Sequence, residues 1–117
     1  MTQQTLEQIY NAYLGAYGIT NAADRDRLLS QCVAREITSV LPNEENRGIA
    51  QLSLHIERFQ NSRPRTHFRS KVLSVHHEQF LASLVLCSED EQVLANAHVY
   101  GRFNGRGLLT YLIGFFF

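Results

Sequence analysis

The apolar positions Leu6, Ile9, Tyr10, Tyr13, Leu14 and Tyr17 recur at spacings of three and four, the stripe of an amphipathic helix from about Thr5 to Tyr17, and Gly18 stops it. Asn21 is placed to cap a second helix, with Asp24 in the first turn where a negative charge suits the helix dipole and Leu28, Leu29, Cys32 and Val33 on its buried side. The β-branched, alternating segment Arg35 to Leu41 predicts a short strand ending at Pro42, and Pro42 to Asn46 reads as a polar loop. Ile49, Leu52, Ile56 and Phe59 then carry a third helix over roughly Gly48 to Gln60, which stops before Pro64. From His67 the period changes to two. Strands are predicted at His67 to Val75, Glu78 to Cys87, Gln92 to Phe103 and Leu108 to Phe116, joined by turns short enough only for hairpins. Helices first and a meander after, with one early strand between, make an α+β fold.

The faces of these strands carry more than their order. Leu81 to Cys87 is apolar on both sides, with only Ser83 polar, and the last strand repeats this with Leu109, Tyr111, Ile113 and Phe115 on one face and Leu108, Leu112 and Phe116 on the other. A strand apolar on both sides must be covered on both sides, and three short helices cannot cover two faces. The expectation is that the helices fold over one face and a second copy of the chain covers the other. In the strand Gln92 to Phe103, Val93, Ala95, Ala97, Val99, Gly101 and Phe103 alternate with the polar row Asn96, His98, Tyr100 and Arg102. Between neighbours apolar on both faces, that row is expected to line a partly enclosed cavity.

Composition narrows the classes. The chain has 117 residues, 44% hydrophobic, with 11 Lys+Arg against 11 Asp+Glu, which reads as one globular domain spanning 1–117 with no electrostatic case for nucleic acid. The basic run Arg63, Arg65, Arg69 and Lys71 is read as a solvated strand face. Cys32 and Cys87 are too few for a disulfide framework and are expected to be small core thiols; no cysteine–histidine spacing suggests a metal, and none is assigned. The N-terminus has no signal-peptide pattern and no apolar run is long enough to span a membrane, so a cytoplasmic protein without membrane partners is expected.

Arg27-Leu28-Leu29 before Cys32-Val33-Ala34, Arg47-Gly48 opening the third helix, Val75-His76-His77 before the second meander strand, and the terminal Gly114-Phe115-Phe116 stand in an order that resembles the SnoaL-like families of the nuclear transport factor 2-like, cystatin-like superfamily. The resemblance spans nearly the whole chain. It implies a cone-like fold, three N-terminal helices packed on a strongly curved antiparallel sheet, with a deep apolar pocket between them and homodimers formed through the convex face. It also implies a small hydrophobic ligand, as in polyketide cyclases and ketosteroid isomerases, with Tyr13, Tyr17, Ile56 and Tyr111 joining Asn96 and Tyr100 in contacting it. Enzymes of this fold often place an Asp or Glu in the pocket, whereas the acids of this chain fall mostly on helix faces and in turns.

Imidazole is the other side chain that titrates near neutrality, so His98 is the expected acid/base, abstracting a proton next to a carbonyl while Asn96 or Tyr100 donates to the developing oxyanion. His55 sits at the edge of the third helix's stripe and is read as a boundary residue. Two functions follow: a cofactor-free isomerase, cyclase or hydrolase acting through His98, or a non-catalytic ligand-binding or dimerisation module lacking the pocket carboxylate.

Overall fold

The computed structural model describes residues 1–117. Helix α1 (Gln3–Gly15) is capped by Thr2, whose hydroxyl accepts from the Thr5 N–H at 3.1 Å, and it tightens into a 3-10 turn at Ala16–Gly18. Helix α2 (Ala22–Cys32) begins on Asn21, whose Oδ1 accepts from the Asp24 N–H at 2.9 Å, the predicted cap. Strand β1 (Val33–Leu41) follows directly, starting earlier than predicted. The segment expected to be a polar loop is instead a hairpin: Pro42 and Asn43 turn the chain, and β2 (Glu44–Arg47) pairs back on β1 with Leu41 opposite Glu44 and Thr38 opposite Arg47. Glu-Glu-Asn-Arg has little strand propensity, but it lies at the sheet edge, where charged side chains stay in water and discourage further pairing. Helix α3 (Gly48–Ser62) opens on Gly48 at φ +84°, a left-handed conformation that favours glycine, and the Gln51 side chain accepts from the Arg47 N–H at 2.7 Å.

Strands β3 (Thr66–His76), β4 (Gln79–Ser88), β5 (Val93–Phe103) and β6 (Leu109–Phe116) form the predicted meander. The six strands lie in one open sheet in the order β2-β1-β6-β5-β4-β3, antiparallel throughout except that β6 returns to run parallel to β1. The sheet is therefore mixed, not wholly antiparallel as expected. Register breaks at Leu73 of β3, Leu94 of β5 and Thr110 of β6 interrupt the ladders, and the sheet curves around the helices. The core fills the concave side, where Leu6 and Tyr10 of α1, Leu29 of α2, and Leu52 and Ile56 of α3 meet the inward residues of the sheet. Both cysteines are buried and free. No helix is long and apolar enough to cross a membrane.

Candidate functional site

Between the concave face and the helices a small apolar cavity of about 80 Å³ opens. Its roof comes from Tyr10, Tyr13 and Leu14 of α1 and Tyr17 of the 3-10 turn, and one wall from His55 and Phe59 of α3. The floor is the inward row of the sheet, including Ser39, Phe68, Leu84, Val99 and Leu112. Tyr17 organises the aromatic wall, standing edge-on to Tyr13, Phe59 and Phe68 with ring centroids 5.8, 5.4 and 5.2 Å away. Few polar groups interrupt the lining. The Tyr13 and Tyr17 hydroxyls are 3.2 Å apart, Ser39 is buried beside Tyr13, and His55 is almost wholly enclosed.

His55 is tied at the rear. Its Nδ1 lies 2.8 Å from Glu44 Oε1, and the same carboxylate oxygen accepts from Asn46 Nδ2 at 2.8 Å and from the Arg58 guanidinium at 3.2 Å. Glu44 titrates below the ordinary carboxylate range, chiefly because of the Asn46 hydrogen bond, with help from His55 and Arg58. Burial pushes the His55 imidazole below its usual value, against the opposing pull of Glu44, so the ring is neutral near pH 7. An ionised carboxylate can only accept, so the hydrogen of the neutral ring sits on Nδ1 and the lone pair on Nε2. Burial raises the Tyr13 and Tyr17 phenols above their ordinary values and keeps both protonated as donors. A neutral imidazole of fixed tautomer and a protonated phenol pair, set in an apolar wall, can accept a proton and donate to an oxygen.

The predicted polar row does not reach this cavity. Asn96, His98 and Arg102 are exposed and Tyr100 is half-buried, all on the convex face, because Ala97, Val99 and Gly101 take the crowded concave side. His98 lies between Ser83 and Phe115 on the neighbouring strands, with its ring 5.0 Å from that of Phe117. Tyr100 donates to Gln79 at 2.5 Å and accepts from Arg102 at 2.9 Å, so these groups satisfy one another across the outer surface. Tyr111 lies on the same face, 6.4 Å from the Tyr100 ring, and Ile56 is packed into the core away from the cavity lining. Tyr13 and Tyr17 line the cavity. His55 was the residue to find: three after Leu52 and four before Phe59, it rides on the stripe that faces the sheet.

The chain superposes with TM-score 0.87 on a SnoaL-like family protein from Agrobacterium tumefaciens, at 22% identity over 97% of this chain and 98% of that one. The fold is nuclear transport factor 2-like. A protein of ketosteroid isomerase-like fold from Catenulispora acidiphila, solved with trimethylamine, matches the same fold at TM-score 0.71 and 17% identity, over 92% of this chain and 83% of that one. So does a de novo designed protein with a curved β-sheet, at TM-score 0.70 and 11% identity over 97% of this chain and 86% of that one. A scaffold shared by natural and designed chains fixes a shape and not a reaction. No protein-family model matches the sequence, and no curated protein does.

Proposed function

We propose that the cavity binds a small, largely apolar molecule bearing a carbonyl, and that His55 acts on it as a proton acceptor in a cofactor-independent isomerisation or cyclisation. Nε2 takes the proton next to the carbonyl and returns it elsewhere, Glu44 holds the ring and stabilises the imidazolium that forms, and the Tyr13–Tyr17 pair donates to the carbonyl oxygen as charge develops there. The observation that carries this reading is the 2.8 Å contact from Glu44 to Nδ1 of a histidine otherwise enclosed by an apolar wall. The test is deuterium uptake by simple cyclic ketones in heavy water. The native protein is expected to exceed His55→Gln by roughly 10²- to 10⁴-fold, the usual worth of a positioned acid/base. Exchange no faster than buffer, with ketones that demonstrably bind, overturns the catalytic role.

The second reading is a non-catalytic binding module, favoured by the absence of any Asp or Glu from the cavity lining. It predicts ligand binding without exchange. In either case we propose that a second copy covers the convex face, where Leu81 and Phe115 are 41% and 57% exposed beside half-buried Val85, Tyr111 and Ile113. Sedimentation at high micromolar concentration should give a dimer that Phe115→Glu dissociates; a monomer there refutes it.

A further inference from the structure

At the far end of β3 and β4, on the outer side of the sheet, three metal-ligating side chains converge without any part in the cavity. His67 of β3 stands directly opposite Cys87 of β4 in the antiparallel register. The hairpin that leaves β4 brings Glu91 back over the pair: its N–H donates to the Ser88 carbonyl at 3.0 Å, and its backbone is held at φ +69°, rare for a residue with a side chain. His67 Nε2 is 3.2 Å from Glu91 Oε1, and the nitrogen, the Cys87 sulfur and the carboxylate oxygen all lie within 4.8 Å of one another. Arg69 pairs with the other carboxylate oxygen, Oε2, which leaves Oε1 turned to His67.

We propose that His67, Cys87 and Glu91 form a three-ligand site for a divalent cation of the zinc class, with a fourth position open to water. At zinc bond lengths, tetrahedral donors stand roughly 3.3–3.6 Å apart. The nitrogen–oxygen pair is already near that spacing, and with the sulfur within 4.8 Å of both, a small turn of the half-exposed His67 side chain draws the set together. A thiolate, an imidazole and one carboxylate select a borderline-soft ion over magnesium or calcium, which take oxygen sets. On binding, the Cys87 thiol releases its proton to solvent, and thiolate plus carboxylate neutralise the ion's two charges. Arg69 on Oε2 fixes the carboxylate as outer-sphere partners do in metal sites. Sequence spacing conceals the set, because His67 joins Cys87 only through strand pairing.

The test titrates the chelator-stripped full chain with Co²⁺ and then Zn²⁺. One ion per chain is expected, with a thiolate-to-cobalt charge-transfer band, d–d bands of tetrahedral strength, and displacement of cobalt by zinc. Cys87→Ser should abolish the charge-transfer band, and His67→Asn and Glu91→Gln, on half-exposed side chains, should each weaken binding by more than the roughly 10- to 100-fold attached to outer-sphere partners. Because Cys87 is buried, those two variants decide the matter by themselves where Cys87→Ser does not fold. His76→Ala with His77→Ala removes a close imidazole pair outside the site, whose Nδ1 atoms are 3.0 Å apart, and should change nothing. The proposal is overturned by a cobalt spectrum without the thiolate band, by affinity unchanged in His67→Asn and Glu91→Gln, or by binding lost with the His76–His77 pair.

Discussion

Gly101→Ala perturbs the point where the sheet, helix α1 and the cavity roof meet. Gly101 faces inward on β5 between Phe80 of β4 and Leu112 of β6, its register partners on either side. A Cβ there would stand 2.3 Å from Cε1 and Cζ of Phe80 and 3.0 Å from Cδ2 of Leu112. Ordinary carbon contacts need about 3.5–4.0 Å, so the ring must retreat by more than about 1 Å. It has little room to do so: Phe80 is 2% exposed and lies against Tyr10, with ring centroids 5.4 Å apart. Overpacking of this kind costs about 1–3 kcal/mol, and the stiffer alanine backbone returns about 0.5–1 kcal/mol. The net loss is about 0–2.5 kcal/mol, which in a domain of this size lowers the melting temperature by up to about 10 °C. Thermal and urea denaturation of Gly101→Ala, Phe80→Leu and the double variant measure it. The smaller leucine makes room for the methyl, so the double variant should lose at least about 0.5 kcal/mol less than the two single losses together. A Gly101→Ala protein more stable than the native one, or strict additivity, refutes the packing described for this corner.

Arg25 is 2% exposed between α2 and α3, where its Nε donates to Ser53 at 2.9 Å and its guanidinium to the Ile19 carbonyl at 3.2 Å; Arg25→Leu leaves the Ser53 oxygen without its donor, while the Ile19 carbonyl keeps Gln60 at 2.7 Å, and should cost about 1–3 kcal/mol in urea denaturation. Glu57→Ala should stay within about 0.5 kcal/mol in the same assay, because Glu57 is half-exposed and 3.9 Å from Arg25. His55 is held below its usual value, so the neutral ring is the folded form and its stabilisation is complete above the unfolded value, about 6.5. As pH falls below that value the unfolded chain takes up the proton first, so the native protein should lose stability from pH 7.5 to 5.5 more steeply than His55→Gln; parallel profiles refute this. Glu44→Gln removes the group that pulls the imidazole upward, so the His55 titration followed by NMR should move to still lower pH, and an upward move contradicts the pairing. Leu84 forms part of the cavity floor, so Leu84→Trp should fill the cavity and abolish ketone binding by calorimetry while the far-ultraviolet spectrum stays native.

The parts of the fold that were legible in the sequence are those set by neighbours in the chain. The α1 stripe, the Asn21 cap and the hairpin turns depend on residues a few positions apart, and the structure has them within a few residues of their predicted places. Strand β2 was not legible, because Glu44 to Arg47 is a strand by pairing with β1 and not by propensity. The parallel contact of β1 with β6 joins Val40 to Ile113 across most of the chain, and nothing local marks it. A single-residue irregularity had the same effect on the faces of β6. Leu109 pairs with Phe103 and Tyr111 with Arg102, so Thr110 bulges, and Leu109 turns into the core while Tyr111, of equal parity, faces out.

The site was misread through a related gap. Alternation states which residues of a strand share a face, but not which face meets the helices. In β5 both answers were compatible with period two, and the chemistry of Asn96, His98 and Tyr100 drew the reading toward the cavity. Side-chain size decides it the other way: the concave side is filled by Tyr10 and Phe80, so the row that fits beneath them is the one built from Ala97, Val99 and Gly101. The polar row is left to the convex surface, where its members bond to one another. The chemistry of the cavity enters instead from its rim. Edge strand β2 delivers Glu44 to the exposed side of α3, and α3 carries His55 inward on the same stripe as Leu52 and Ile56. An acid that looked like part of a loop thus becomes the partner of a buried base only once the hairpin closes, and its carboxylate stays half in water while the imidazole it orients does not.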